Sequence, residues 1–194
     1  MSLTEWVAAL ASALGVWLTG RRMLSGWIVT VLASGLYGVV FARARLYADM
    51  ALQAIFVLTS LYGLWCWWRG VRHAGGQRLH VVRPMAAVLW RDSAIAGAGG
   101  LLLAWVLRSW TDDAVPVADA MLSAYSILGQ VWTARRFRAC WLLWIGVDAL
   151  YAVLFVERAL YVTAILYAGF VLLAVWGWRQ WGDRAPDVAK NRNE

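Results

Sequence analysis

Residues 141–151 read Trp141-Leu142-Leu143-Trp144-Ile145-Gly146-Val147-Asp148-Ala149-Leu150-Tyr151 and lie inside a long apolar run. At helical spacing Trp141, Trp144, Asp148 and Tyr151 share one face, at steps of three, four and three. A carboxylate inside a membrane-length segment costs about 2.5–3.5 kcal/mol on insertion scales. The rings beside it point to a bound planar cation as the compensating interaction.

The rest of the chain supports a membrane reading of that run. Of 194 residues, 62% are hydrophobic, 15 are Trp and only 15% are charged. A soluble domain of this size cannot bury that much apolar surface, so the solvent that suits the chain is a bilayer. The net charge of +7 comes from short basic clusters between apolar runs. It forms no stripe with a reading motif, which argues against nucleic acid as a partner. Cys66 and Cys140 sit in or beside apolar segments and make no CxxC, so they read as small packed residues. No basic region precedes the first apolar run, so no cleavable signal peptide is expected.

Working outward from Trp141 gives seven spans of bilayer length. They run from about Glu5 to Gly20, Leu24 to Ala42, Leu46 to Trp68, Pro84 to Leu107, Pro116 to Ala134, Ala139 to Val156 and Ala159 to Trp181. They are too long for barrel strands and show no sustained alternation, so the fold class is all-α and polytopic. Counting loops, Arg43, Arg45, Arg108 and Arg158 fall on one side. Thirteen basic residues, among them Arg21, Arg22, Arg69, Arg135, Arg136 and Arg179, fall on the other. The positive-inside rule then puts the N-terminus outside and the C-terminus in the cytoplasm.

Sliding the sequence on itself by 114 residues gives an ungapped match from Glu5 to Trp67. Thr19-Gly-Arg21-Arg22 falls on Thr133-Ala-Arg135-Arg136, Trp27 on Trp141, Tyr37 on Tyr151, Gly63 on Gly177 and Trp67 on Trp181. The chain therefore divides into a three-helix repeat (1–68), a basic cytoplasmic loop (69–83), a linker helix (84–108), a second repeat (116–181) and a polar tail (182–194) read as disordered. Three spans cross an odd number of times. One extra helix then gives the second repeat the orientation of the first, an arrangement that builds transporters with a site near midplane.

The two copies differ on the face that holds the acid. Asp148 aligns with Ser34 and Trp144 with Thr30, so the face is small and neutral in one copy, large and acidic in the other. Gln53 aligns with Tyr167, and both can hydrogen-bond a sugar or an amide; an interhelical polar contact accounts for Gln53 equally well. Tyr125 and Gln130 are further polar candidates in the fifth span. Asp49, Asp119 and Glu5 lie near outer helix ends, where gating or capping fits better than substrate contact. Most of the tryptophans, including Trp6, Trp65, Trp67, Trp68, Trp110, Trp176, Trp178 and Trp181, read as an interfacial belt, and Trp141 can belong to it. His73 and His80 have no acid or thiol at ligand spacing, so no metal or cofactor is expected. No nucleophile elbow, P-loop or HExxH occurs, and no enzyme is expected.

Trp27 through Trp68, with Leu46-Tyr47-Ala-Asp49, Leu52-Gln53 and Tyr62-Gly63, resembles the PnuC-type nicotinamide riboside transporters. So does Trp141-Leu-Leu-Trp144 with Leu160-Tyr161 and the closing Gly177 and Trp181. The resemblance covers Glu5 to Trp181 and implies a SWEET-like 3+1+3 fold of parallel repeats. It implies facilitated diffusion of nicotinamide riboside across a bacterial inner membrane, trapping by a cytoplasmic kinase, and a homotrimer. Trp144 and Tyr151 would stack on the pyridinium ring, with Asp148 balancing its charge and Gln53 and Tyr167 holding ribose or carboxamide. Many nicotinamide riboside carriers have Asn seven residues after the first Trp of the W-x-x-W element. Asp148 stands there in this chain, which keeps thiamine, another cationic ring, or another vitamin or nucleoside as the alternative substrate. Riboflavin is neutral and suits an unpaired carboxylate less well. Proton coupling through Asp148 is the second mechanism; with one acid near midplane and no relay partner, uniport ranks above it.

Overall fold

A computed structural model describes residues 3–43, 45, 47–73, 79–110 and 116–182, with the side chains of 3–5, 47–49, 73 and 110 outside that description. Glu5, Asp49, His73 and the tail from 183 onward, each given an expectation above, therefore lie outside the described residues or side chains. Seven helices follow one another: α1 Leu3–Gly20, α2 Ser25–Arg43, α3 Tyr47–His73, α4 Ala86–Trp110, α5 Pro116–Ala134, α6 Ala139–Glu157 and α7 Tyr161–Gln180. Among the described residues the nearest thing to a strand is one isolated bridge between Val82 and Phe137. α3 continues past Trp68 to His73, so the basic loop opens later than the composition change at Arg69 suggests.

The 114-residue repeat is visible in the backbone. Arg22 (φ 60°) and Arg136 (φ 63°) are both left-handed, as are Arg45 (φ 58°) and Ala159 (φ 59°). Each pair is separated by the repeat length. Around Arg22, the amide of Met23 donates to Leu18 O, and around Arg136 the amide of Phe137 donates to Trp132 O. These six-to-one bonds satisfy carbonyls left over at a helix end and turn the chain sharply. The repeat thus encodes the helix stops as well as the helices.

Packing closes six helices into a ring. α1 packs on α2, α2 on α3, α3 on α5, α5 on α6, α6 on α7, and α7 returns to α1. The seams between units, α3–α5 and α7–α1, map onto each other under the repeat, as parallel units about a two-fold require. α4 packs on α5 alone and stands outside the ring. Close packing of Gly100 on Met121 and Ala124 is joined by a polar anchor: the Asp92 carboxylate, only 8% exposed, accepts from Trp132 Nε1 (3.2 Å) and Arg135 Nη1 (3.4 Å) of the second unit, and from its neighbour Arg91 (2.9 Å).

Five of the seven helices are long and apolar enough to span a membrane by length and composition; α1 has a shorter apolar stretch, and α5 falls below the mark. α5 has a physical reason for its polarity. It is flanked by α3, α4 and α6, and nine of its residues are buried, including Ser126, Gln130 and Thr133. Shielded from lipid, it can carry polar side chains at depth. The outward faces are apolar by contrast: Leu58, Trp90, Ile95, Trp105, Ile165 and Leu172 are all exposed, the pattern of lipid-facing surface.

Candidate functional site

The ring encloses a cavity of about 510 Å³. All six ring helices line it and α4 does not. Along α2 the lining runs from Trp27 to Phe41, about 21 Å at helical rise.

Most of the lining obeys the repeat. Ser12 and Ser126, Thr19 and Thr133, Trp27 and Trp141, Tyr37 and Tyr151, Phe41 and Phe155, Leu52 and Leu166, Phe56 and Phe170 face the same space from opposite units. Four pairs break the symmetry: Val16 with Gln130, Thr30 with Trp144, Ser34 with Asp148, and Gln53 with Tyr167. The chemistry is concentrated in those pairs, and the second unit carries the acid and the extra indole.

Asp148 is 7% exposed, and among the described residues no hydrogen bond or ion pair reaches its carboxylate. No described arginine or lysine lines the cavity. Beside the acid lies a ring cluster. Tyr151 and Tyr167 are 5.1 Å apart, Tyr151 stacks on Phe155 at 5.9 Å, and Tyr167 meets Phe170 edge-on at 5.6 Å. Burying an unpaired carboxylate is costly, and a cation seated over these rings would offset that cost.

Of the residues singled out from sequence, Trp141, Trp144, Asp148, Tyr151, Gln53, Tyr167, Ser34 and Gln130 come together on this cavity. Gln130 donates from Nε2 to Ser60 Oγ at 3.2 Å, across the α3–α5 seam. Tyr125 is placed elsewhere. Its hydroxyl donates to Ser93 O on α4 (3.3 Å), and it lines a separate apolar groove between α5 and α6. It precedes Ser126 by one residue, about 100° round the helix, so the two cannot share a face. Asp119 sits in the first turn of α5 and pairs with Arg158 at 3.1 Å, a contact at a helix end.

The end of the ring where α1, α3, α5 and α7 finish is closed by tryptophan. Trp67 and Trp181, read above as belt residues, are fully buried in the core, whereas Trp6, Trp65 and Trp68 are exposed as a belt requires. Trp27 meets Trp67 edge-on at 5.5 Å, Trp141 meets Trp181 edge-on at 5.3 Å, and Trp67 and Trp181 meet across the units at 6.2 Å. Gly63 and Gly177 make this possible: a Cβ on either would lie 2.4 Å from Trp27 or 2.6 Å from Trp141. Each unit also donates to the other. Trp67 Nε1 reaches Ala134 O (3.1 Å) and Thr133 O (3.3 Å), and Trp181 Nε1 reaches Gly20 O (3.0 Å). Position near a span end does not by itself say whether an indole faces lipid or the ring.

Sequence reasoning missed Asp92 and the lining hydroxyls of Ser12, Thr19, Ser126 and Thr133. The Arg91-Asp92 pair inside an apolar run was the signal for the first. For the second it was the identity of Thr19 with Thr133 and of Ser12 with Ser126 across the repeat.

Lipid-facing helices in two parallel repeats around a polar and aromatic cavity define a membrane transporter. The chain belongs to the nicotinamide mononucleotide transporter family, whose model matches residues 2–183. It is similar to the nicotinamide riboside transporter PnuC of Escherichia coli, at 24% identity over 93% of this chain and 85% of that protein. It also resembles PnuC of Haemophilus influenzae, at 20% identity over 85% of this chain and 79% of that protein. The riboflavin/roseoflavin transporter RibM of Streptomyces davaonensis is 25% identical over 83% of this chain and 76% of its own length. Among solved structures, the vitamin B3 transporter PnuC shares the fold, with a TM-score of 0.76 at 22% identity over 93% of this chain and 80% of that one.

Proposed function

We propose that this chain takes up nicotinamide riboside by facilitated diffusion. The observation that carries the reading is the unpartnered Asp148 carboxylate facing the cavity beside Trp144, Tyr151 and Tyr167. The pyridinium ring of nicotinamide riboside is planar and carries a fixed positive charge, so it meets both needs of the site. Trp144 and Tyr151 stack on the ring, Asp148 balances its charge, and Gln53, Gln130 and Tyr167 offer polar groups to ribose and carboxamide. A mononucleotide would bring a phosphate to a cavity with a carboxylate and no described cation in its lining, and like charges at low dielectric repel. Riboflavin would leave the carboxylate uncompensated.

The two units rock about this site to give alternating access. The Trp67–Trp181 contact and its reciprocal carbonyl bonds are the closure at one end. By the positive-inside rule that end is cytoplasmic, the N-terminus is outside, and the membrane is a bacterial inner membrane. Uniport is preferred to proton coupling because Asp148 is the sole described acid in the lining. The chain has no catalytic role in this reading; a cytoplasmic kinase traps the product, and the working unit is a homotrimer. Uptake of labelled nicotinamide riboside into proteoliposomes is the test. Saturable uptake that stops at equilibration supports it. Saturable uptake of thiamine with none of nicotinamide riboside would replace the substrate and keep the mechanism.

A further inference from the structure

Trp144 is held by two points on one turn of α5. Its ring fusion lies against Gly129, where a Cβ would come within 2.9 Å of Cε2 and 3.0 Å of Cζ2. Its Nε1 donates to Thr133 Oγ1 at 3.2 Å. The Thr133 hydroxyl has one proton, which it donates to Gly129 O at 2.7 Å. Its oxygen is therefore left as an acceptor aimed at the indole. Gly129 and Thr133 are four residues apart and share a helix face. One supplies the flat seat and the other sets the ring's orientation.

The first unit repeats the seat without the ring. Gly15 and Thr19 occupy the matching positions, and Thr30 stands where Trp144 does. A Cβ on Gly15 would fall 2.7 Å from Thr30 Oγ1, and that hydroxyl donates to Gly26 O. The scaffold is duplicated, and only the second copy uses it to present an aromatic face. Thr133 is 4% exposed, so water competes little for its oxygen. Its carbonyl also accepts from Trp67 Nε1 of the other unit, which ties the seat to the closed end of the cavity.

We propose that Gly129 and Thr133 are positioning residues that fix the plane of Trp144 and thereby set how tightly the cavity holds a planar cation. The inference rests on the nicotinamide riboside reading for its ligand, and one arm of the test does not. 5-Fluorotryptophan labelling gives Trp144 a fluorine resonance, assigned by its loss in Trp144→Phe. Thr133→Val shifts that resonance and Thr133→Ser restores it. In titrations with nicotinamide riboside, Thr133→Val raises Kd by about 3- to 10-fold, the range expected for one hydrogen bond. It raises KM in step and leaves Vmax in place, and Thr133→Ser recovers wild-type binding. On the Trp144→Phe background, Thr133→Val adds nothing further. An unmoved resonance, or an equal loss of affinity on the Trp144→Phe background, overturns the proposal. A wild type that fails to bind nicotinamide riboside counts against the substrate reading, and the resonance arm still decides whether the seat exists.

Discussion

Replacing Asp148 with Asn isolates the charge of the site from its shape. The side chain is buried, lines the cavity, and has no described ion-pair partner. A unit positive charge about 5 Å away, at an effective dielectric near 20, attracts it by roughly 3 kcal/mol. The ligand gives up hydration to enter, so the net loss on substitution is about 1.5–3 kcal/mol. That is about a 10- to 150-fold increase in Kd for nicotinamide riboside. Isothermal titration on the purified protein measures it directly. The reduced form of nicotinamide riboside, nearly the same in shape but without the ring charge, supplies the control. Wild type should favour the oxidised form, and Asp148→Asn should bind the two with similar affinity. The ligand-free variant should keep or raise its thermal midpoint, because it no longer holds a lone carboxylate in a poorly solvated site. An unchanged preference for the oxidised form would refute the reasoning. So would weaker binding accompanied by a lower midpoint, which would mark Asp148 as a structural residue.

Further predictions follow from the ring and its closure. Trp67→Phe and Trp181→Phe each remove an indole donor to the opposite unit and weaken the closed end. In a Cys66→Ser background, maleimide labelling of buried Cys140 should speed up by about 2- to 10-fold; an unchanged rate would mean the tryptophans do not restrain opening. Asp92→Ala leaves the buried Trp132 indole N–H without its acceptor and removes a partner of the partly exposed Arg135, and should destabilise the fold by about 1–3 kcal/mol, seen as a lower unfolding midpoint, with uptake per folded molecule kept. Gly177→Ala forces a methyl against the Trp141 indole and should cost about 1–3 kcal/mol; a neutral midpoint would show that this packing is looser than the geometry indicates.

The helices, their number and the repeat were legible in the sequence because they rest on local periodicity and on identity at a fixed shift. The repeat even carried the site's asymmetry, since Ser34 against Asp148 and Thr30 against Trp144 need no coordinates to read. Three matters waited for tertiary structure. Tyr125 turned to α4, a choice set by which neighbour α5 met and not by the residue's depth in the span. Trp67 and Trp181 left the expected belt because ring closure brought two distant helix ends together, and burial of an indole depends on that meeting. Asp92 gained its meaning only when α4 docked beside Trp132 and Arg135. Local sequence fixes which faces are apolar and where helices stop. Which polar group faces a cavity, a seam or lipid is decided by contacts between segments far apart in the chain, and only closure of the ring determines those.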